Sequence, residues 1–228
     1  SLSISDSVKK IGAMAFAGCE GITTLTLGEN IEEIGASAFE NCSEIHSIIT
    51  IPSSVRAIEP RTFYNCKGIR GLYLNDNLLS IGDEAFYNCI YLGYIYNYAY
   101  DNKLVIPDSV TSIGDFAFDQ CSNLKYLQIG KSVKTIGNSA FSNCTNLINN
   151  LTIPNSVVSI NKDVDFTNAQ FSIYKTNSQR MNYTYFKFDQ EITQYPKGIE
   201  IKEIEENIFL NEKEDKIIII HQIESIFN

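Results

Sequence analysis

The sequence predicts a solenoid of stacked repeats, with a parallel β-sheet on one face and turns or short helices on the other. Three observations carry this. Six cysteines, Cys19, Cys42, Cys66, Cys89, Cys121 and Cys144, recur at intervals of 23, 24, 23, 32 and 23 residues. Each follows a phenylalanine by three positions: Phe16, Phe39, Phe63, Phe86, Phe118 and Phe141. Each phenylalanine follows an isoleucine by five: Ile11, Ile34, Ile58, Ile81, Ile113 and Ile136. A fixed apolar register of about 23 residues means that one unit stacks on copies of itself.

The unit reads V-x-x-I-G-x-x-A-F-x-x-C-x-x-L-x-x-L-x-L. Its first copy gives Val8, Ile11, Gly12, Ala15, Phe16, Cys19, Ile22, Leu25 and Leu27. The closing L-x-L alternates as a strand does, so the residue between the two apolar ones points outward. In the second unit Ile48 and Ile51 take the inward places, with one extra residue before the strand ends. In the fourth, Leu92 follows the Cys by three as usual and Ile95 takes the first inward strand place. Pro52, Pro107 and Pro154 close strands, where a missing N–H is tolerated. The A-F-x-x-C segment has near-helical spacing and is expected to form a short helix or 3₁₀ turn that drives the Phe between layers. The preceding Gly suits a bend needing positive φ or a close backbone approach. The third unit departs here, with Glu59 for the Gly and Thr62 for the Ala.

This pattern resembles the BspA-like, Treponema-type leucine-rich repeats, whose unit reads IP-S-V-T-S-I-G-x-x-A-F-x-x-C-x-x-L. Residues 106–124, IPDSVTSIGDFAFDQCSNL, match it almost letter for letter. The resemblance implies a right-handed leucine-rich-repeat solenoid. It also implies a surface-exposed or secreted microbial protein of a group associated with adhesion to host matrix proteins and to other cells. Regular repeats cover residues 1–160. After these the register blurs. Ile201, Ile204, Ile208, Phe209 and Glu212 keep the repeat offsets, and Ile218 and Ile220 fall where a strand pair belongs. Residues 161–228 are therefore expected to be degenerate repeats with a divergent insert over 161–200. The alternative is a small β-rich C-terminal module.

The charge balance excludes some partners. With 18 basic against 27 acidic residues, the net charge is −9. That disfavours nucleic acid and polybasic membrane contact, and no direct membrane insertion is expected. No stretch reaches the ~20 apolar residues that span a bilayer. The chain starts at Ser1 within a repeat, without Met or a signal sequence, and reads as an excised fragment.

Six cysteines suggest disulfides, but the register argues against them. Equivalent residues on successive turns lie ~5 Å apart with parallel Cβ vectors, whereas a bridge needs convergence. Free buried thiols behind the Phe column are the expectation. With no CxxC pair and only His46 and His221 to help, no metal and no cofactor are expected. No nucleophile, P-loop or dinucleotide motif is present, so the chain is not expected to be an enzyme. His46 reads as a solvated residue beside a strand and His221 as a loop residue. Asp101 with Asn102, and Asp163 with Asp165, fall short of a calcium ligand set.

Tyrosine stands out. Tyr73, Tyr94, Tyr96 and Tyr126 are expected at outward strand positions, with Tyr98 and Gln128 completing a ligand-binding face. The fourth interval is nine residues longer than its neighbours, and its insert carries Tyr94, Tyr96, Tyr98 and Tyr100 in alternation. Tyrosine offers rigid contact area and a hydroxyl at low entropy cost, which suits recognition. The plain alternative is that these rings only pack the insert. Three roles follow. The first is a protein-binding module for an extracellular ligand, either host matrix or another cell surface. The second is a carbohydrate-binding module on the same tyrosines, helped by Asn75, Asn97 and Gln128. The third is a spacer.

Overall fold

The computed structural model describes residues 1–93, 103–147, 151–154, 156–157, 159–160 and 173–175. The chain winds into a solenoid whose turns each contribute two short strands. One column holds β1 (Leu2–Ser3), β3 (Leu25–Thr26), β5 (Ile48–Thr50), β7 (Gly71–Tyr73), β9 (Lys103–Val105), β11 (Tyr126–Gln128), β13 (Leu151–Ile153) and β15 (Ile173–Lys175). The other holds β2 (Lys10–Ile11), β4 (Glu33–Ile34), β6 (Ala57–Ile58), β8 (Ser80–Ile81), β10 (Ser112–Ile113), β12 (Thr135–Ile136) and β14 (Ser159–Ile160). All pairings are parallel and in register, as in Ile113 opposite Ile81 and Ile136. The expected sheet is the odd-numbered column. The even-numbered column, built on the x-I pair of V-x-x-I, is a second sheet that the repeat pattern did not announce.

The A-F-x-x-C segments are turns, and among the described residues no helix forms. The cause is local. The residues two before each Phe (Met14, Ser37, Arg61, Glu84, Phe116 and Ser139) all have φ between 48° and 58°. Those two after it (Gly18, Asn41, Asn65, Asn88, Gln120 and Asn143) are likewise left-handed. A helix cannot pass two such points within five residues. Asn dominates the second place because its short side chain tolerates this region. The turns are tied layer to layer. The N–H of Phe16, Phe39, Phe63, Phe86 and Phe118 donates to the carbonyl of Ala38, Thr62, Ala85, Ala117 and Ala140 at 2.8–2.9 Å.

The core is a set of columns. Six Phe rings stack at centroid spacings of 5.2–5.4 Å, with interplanar angles of 10° or less. Phe39, Phe63, Phe86, Phe118 and Phe141 are fully buried. The cysteines are free, and all but Cys19 are buried. Their thiols have work beyond filling space. Cys42, Cys66, Cys89, Cys121 and Cys144 donate through Sγ to the carbonyls of Phe16, Phe39, Phe63, Phe86 and Phe118 at 2.9–3.3 Å. Each such carbonyl also accepts the N–H of its own unit's Cys, as Phe39 accepts from Cys42 at 3.1 Å. Both lone pairs of a buried acceptor are thereby used.

The repeat glycines after Gly12 prove to be close approaches; their φ is not positive. A Cβ on Gly35, Gly82 or Gly137 would meet backbone of the preceding turn at 2.4–2.7 Å, and one on Gly114 would meet the Asp83 backbone N at 2.5 Å. Each of these glycines instead donates its N–H to the isoleucine carbonyl one turn back, at 2.8–2.9 Å. Where Glu59 replaces the glycine, the even-numbered ladder breaks. Strands β2 and β4 form one sheet and β6 to β14 another. Thr62 is accommodated in its buried alanine slot because its hydroxyl donates to Glu59 O at 2.7 Å.

Two strand registers depart from the sequence reading. In the second unit Ile49 and Ile51 are buried and Ile48 lies half-exposed beside Gly71, so the extra residue precedes the strand. In the fourth, Leu92 is buried in its expected place, but Leu104 takes the inward strand place expected for Ile95, followed by Ile106. The long interval therefore delays the strand, and β9 is Lys103–Val105. At the far end β15 pairs with β13, so one strand within 161–200 joins the array.

Candidate functional site: the outward strand face

Alternation in the odd-numbered strands fixes which residues face solvent. One outward row reads Ser3, Thr26, Thr50, Tyr73, Val105, Gln128, and the row before it includes Ile48, Gly71, Lys103 and Tyr126. Tyr73 is 50% exposed, Val105 41% and Tyr126 38%, an apolar content well above that of the threonines on the earlier strands. Gln128 is exposed and lies beside Val105. Of the tyrosines read from the sequence, the structure thus places Tyr73 and Tyr126 on this face, two strands apart. Tyr94, Tyr96 and Tyr98 lie outside the described residues, and the strand slot assigned to Tyr94 and Tyr96 belongs to Lys103–Val105.

The face is not a continuous ladder. Strands β5 and β7 form one sheet, and β9 and β11 another. Between β7 and β9 lies a shallow cleft lined by Arg70, Gly71, Tyr73, Gly93, Lys103 and Leu104. Gly71 carries no side chain, and the side chain of Ile48 packs against its position, 3.2 Å from where a Cβ would lie. Asn75, at the lower end of β7, is fully engaged internally. Its amide nitrogen donates to Pro52 O at 2.8 Å and Val55 O at 3.0 Å, and its oxygen accepts the Asn77 N–H at 2.8 Å.

The turn side carries a polar cluster that the sequence reading missed. Arg61 reaches Glu40 at 2.6 Å and Glu84 at 2.5 Å, and its guanidinium carbon lies 3.8 Å from the Tyr64 ring centroid. Tyr64 stacks on Tyr87 at 4.9 Å, and the Tyr87 hydroxyl accepts a hydrogen bond from Gln120. An amide ladder runs beside them, Asn88 to Asn65 to Asn41, at 2.7 and 2.8 Å. The Arg61 hydrogen bond holds the Glu40 carboxyl below its ordinary range, against an opposing push from burial. Burial raises the Tyr87 phenol, assisted by the Asp119 charge. Its ion pairs, stacked rings and amide bonds run from layer to layer and tie four successive turns together. The signal was available: Arg61, Tyr64, Glu84 and Tyr87 occupy equivalent places in successive units.

Among the described residues no group of three or more His, Cys, Asp or Glu could hold a metal ion. His46 is exposed, its nearest carboxylate Glu44 lying at 3.9 Å. His221 and the aspartates at 101, 163 and 165 lie outside the described residues. The buried thiols are poor nucleophiles. Burial pushes Cys42 up to about 11 and raises Cys66, Cys89, Cys121 and Cys144 as well, so they stay protonated near neutrality. No helix among the described residues is long and apolar enough to cross a membrane.

Comparison with known proteins places the chain. The model of the BspA type leucine-rich repeat region matches residues 1–98 and 93–216, with six copies. A leucine-rich repeat protein of Bacteroides ovatus, known from a crystal structure, is 33% identical over 75% of this chain, with a TM-score of 0.60. The chain spans 41% of that protein's length. The leucine-rich repeat protein of T. pallidum is 24% identical over 61% of this chain and 72% of its own, with a TM-score of 0.47. A search of curated proteins finds no match.

Proposed function

The chain belongs to the BspA type leucine-rich repeat family, and we propose that it is a non-catalytic protein-binding module of a microbial cell-surface or secreted protein. In this reading the strand face recognises an extracellular protein, host matrix or another cell's surface, and so mediates adhesion. The observation that carries it is the exposed group Tyr73, Val105 and Tyr126 in the middle of an otherwise threonine-bearing face. Rigid rings at a defined strand spacing offer contact area at little ordering cost. A patch of this kind on a soluble surface signals recognition more often than chance. Tyr94, Tyr96 and Tyr98, next in sequence to the cleft, extend the proposed face, and Gln128 supplies its polar margin.

Family membership supports the binding role, because repeat solenoids present extended surfaces while their cores do the structural work. A saccharide-binding reading is less well supported. Of the amides that could serve a stacked sugar, Asn75, the one nearest Tyr73 in sequence, is spent on Pro52, Val55 and Asn77, which leaves Gln128, two strands from Tyr73. A spacer would be expected to keep a smooth polar face.

The test is binding of the wild type and a Tyr73→Ser/Tyr126→Ser variant to arrays of matrix proteins and of glycans. Protein ligands captured by the wild type and lost by a folded variant would support the adhesin reading. Glycan capture lost in the same way would replace it with the carbohydrate reading. Binding unaffected by the two substitutions would remove the strand face from the function.

A further inference from the structure

The chain is acidic overall, with a net charge of −9, yet the charged residues that line the cleft between β7 and β9 are both cations. Arg70 and Lys103 line it together with Tyr73. Lys125 is exposed immediately before β11, and Tyr126 lies directly opposite Lys103 in the ladder. The paired cations of the molecule are elsewhere: Lys9 with Glu32, Lys10 with Glu33, Arg61 with Glu40 and Glu84, and Lys131 with Asp108. Among the described residues no carboxylate pairs with Arg70, Lys103 or Lys125. The acidic residues that follow these strands, Asp76 and Asp108, lie three residues past Tyr73 and Val105, and Asp108 is engaged by the Lys131 N–H at 2.9 Å.

Resting on the protein-binding reading, we propose that the strand-face cleft takes an acidic, partly apolar, extended segment of a partner protein. Its carboxylates meet Arg70, Lys103 and Lys125, and its apolar side chains lie on Tyr73, Val105 and Tyr126. Three cations that pair with no described carboxylate cluster on this face of a negative molecule. Such a patch steers an anionic partner to one site while the rest of the surface repels it. Arg70 and Lys103 flank the gap between β7 and β9, and Gly71 puts no side chain of its own between Ile48 and Tyr73 on the face. Val105 decides between the anionic polymers. An aliphatic side chain beside Tyr73 rewards an apolar residue and has nothing to offer the hydroxyls or sulfates of a glycan.

Fluorescence anisotropy on the full chain tests this with three labelled probes: a short peptide alternating glutamate and valine, its lysine-for-glutamate counterpart, and a size-matched heparin oligosaccharide. The expected result is selective binding of the glutamate peptide, weakened about tenfold or more on raising salt from low to high. Lys103→Glu/Lys125→Glu is expected to lose the peptide by about tenfold or more while its far-ultraviolet circular dichroism and melting stay unchanged. Lys103→Gln/Lys125→Gln is expected to lose less, since it removes attraction without adding repulsion. Preference for heparin, indifference to the sign of the peptide, or unchanged binding by the charge-reversed variant would each overturn the inference. Array ligands lost in Tyr73→Ser/Tyr126→Ser but kept in Lys103→Glu/Lys125→Glu would sink the acidic partner alone. Array ligands kept by both variants would sink the face as well.

Discussion

The turn side and the outward strand side of this solenoid are built from the same repeat, yet they are constrained very differently. On the turn side every layer is fastened to the next by a Phe N–H bond, a stacked ring and a thiol donor, in each described unit without interruption. On the strand side the ladder breaks between β3 and β5, between β7 and β9, and between β11 and β13. The first break coincides with one extra residue and the second with nine. Length variation is thus absorbed where strands meet, because a parallel pair can open without unsatisfying the buried carbonyls of the Phe column. Stability resides on one side, and the other is free to diversify.

The difference is sharpest for Phe118. It sits between Phe86 and Phe141 at 5.2 and 5.4 Å and is fully buried. Phe118→Ala is expected to cost about 3–5 kcal/mol by opening a cavity that stacked layers cannot collapse into. A denaturant titration giving a loss below about 1 kcal/mol would show that the column is not the fastening.

The thiol column makes the turn side sensitive to alkali. Burial raises the Cys42 thiol to about 11, above its unfolded value near 9. The folded state therefore holds the proton more tightly than the unfolded chain. This contribution to stability is fully present below the unfolded pKa and is lost as pH rises from about 9 through about 11. At full ionisation the loss is about 2–3 kcal/mol for this one site. Unfolding titrations across that range should show a steeper decline for the wild type than for Cys42→Ser; parallel curves would dismiss the thiol's role.

A smaller effect separates two glycines of the same column. A Cβ on Gly114 would lie 2.5 Å from the Asp83 backbone nitrogen, whereas one on Gly12 meets nothing within 4 Å. Gly114→Ala is expected to destabilise by about 1–3 kcal/mol, and Gly12→Ala to be neutral or slightly stabilising. Equal thermal shifts for the two would mean that layer spacing is set elsewhere.

Much of this was legible because the repeat is self-correcting: six copies vote on each position, so the Phe, Ile and Cys columns and their free thiols could be read directly. What failed was whatever depended on where length is absorbed. The extra residue in the second unit precedes Ile49, and the nine extra residues delay the fourth strand to Leu104, because burial of the L-x-L pair outranks even spacing along the chain. That is why Val105 and Lys103, and not Tyr94 and Tyr96, hold the strand slots beside Tyr73. Helical spacing misled at A-F-x-x-C, since a period of three to four residues is shared by a helix and by a turn bent at two left-handed residues. The Asn before Cys in four units was the overlooked sign.

Tyr73 completes the comparison from the opposite direction. Half exposed and outside the stacked columns, it contributes little to the fold. Tyr73→Ser is expected to move stability by no more than about 0.5 kcal/mol, an order of magnitude less than Phe118→Ala, although both remove an aromatic ring from the middle of the array. The Tyr73 ring borders a cleft bounded by Gly71, so its removal leaves an open surface filled by water and no internal void. Two thermal melts, run beside the binding arrays, read both quantities at once. If Tyr73→Ser unfolds the middle of the array, the ring is a structural strut and the strand face is less free than its broken ladder implies. If it melts with the wild type and loses the ligand, the ring is retained for recognition, and the division of labour between the two sides holds at its most exposed point.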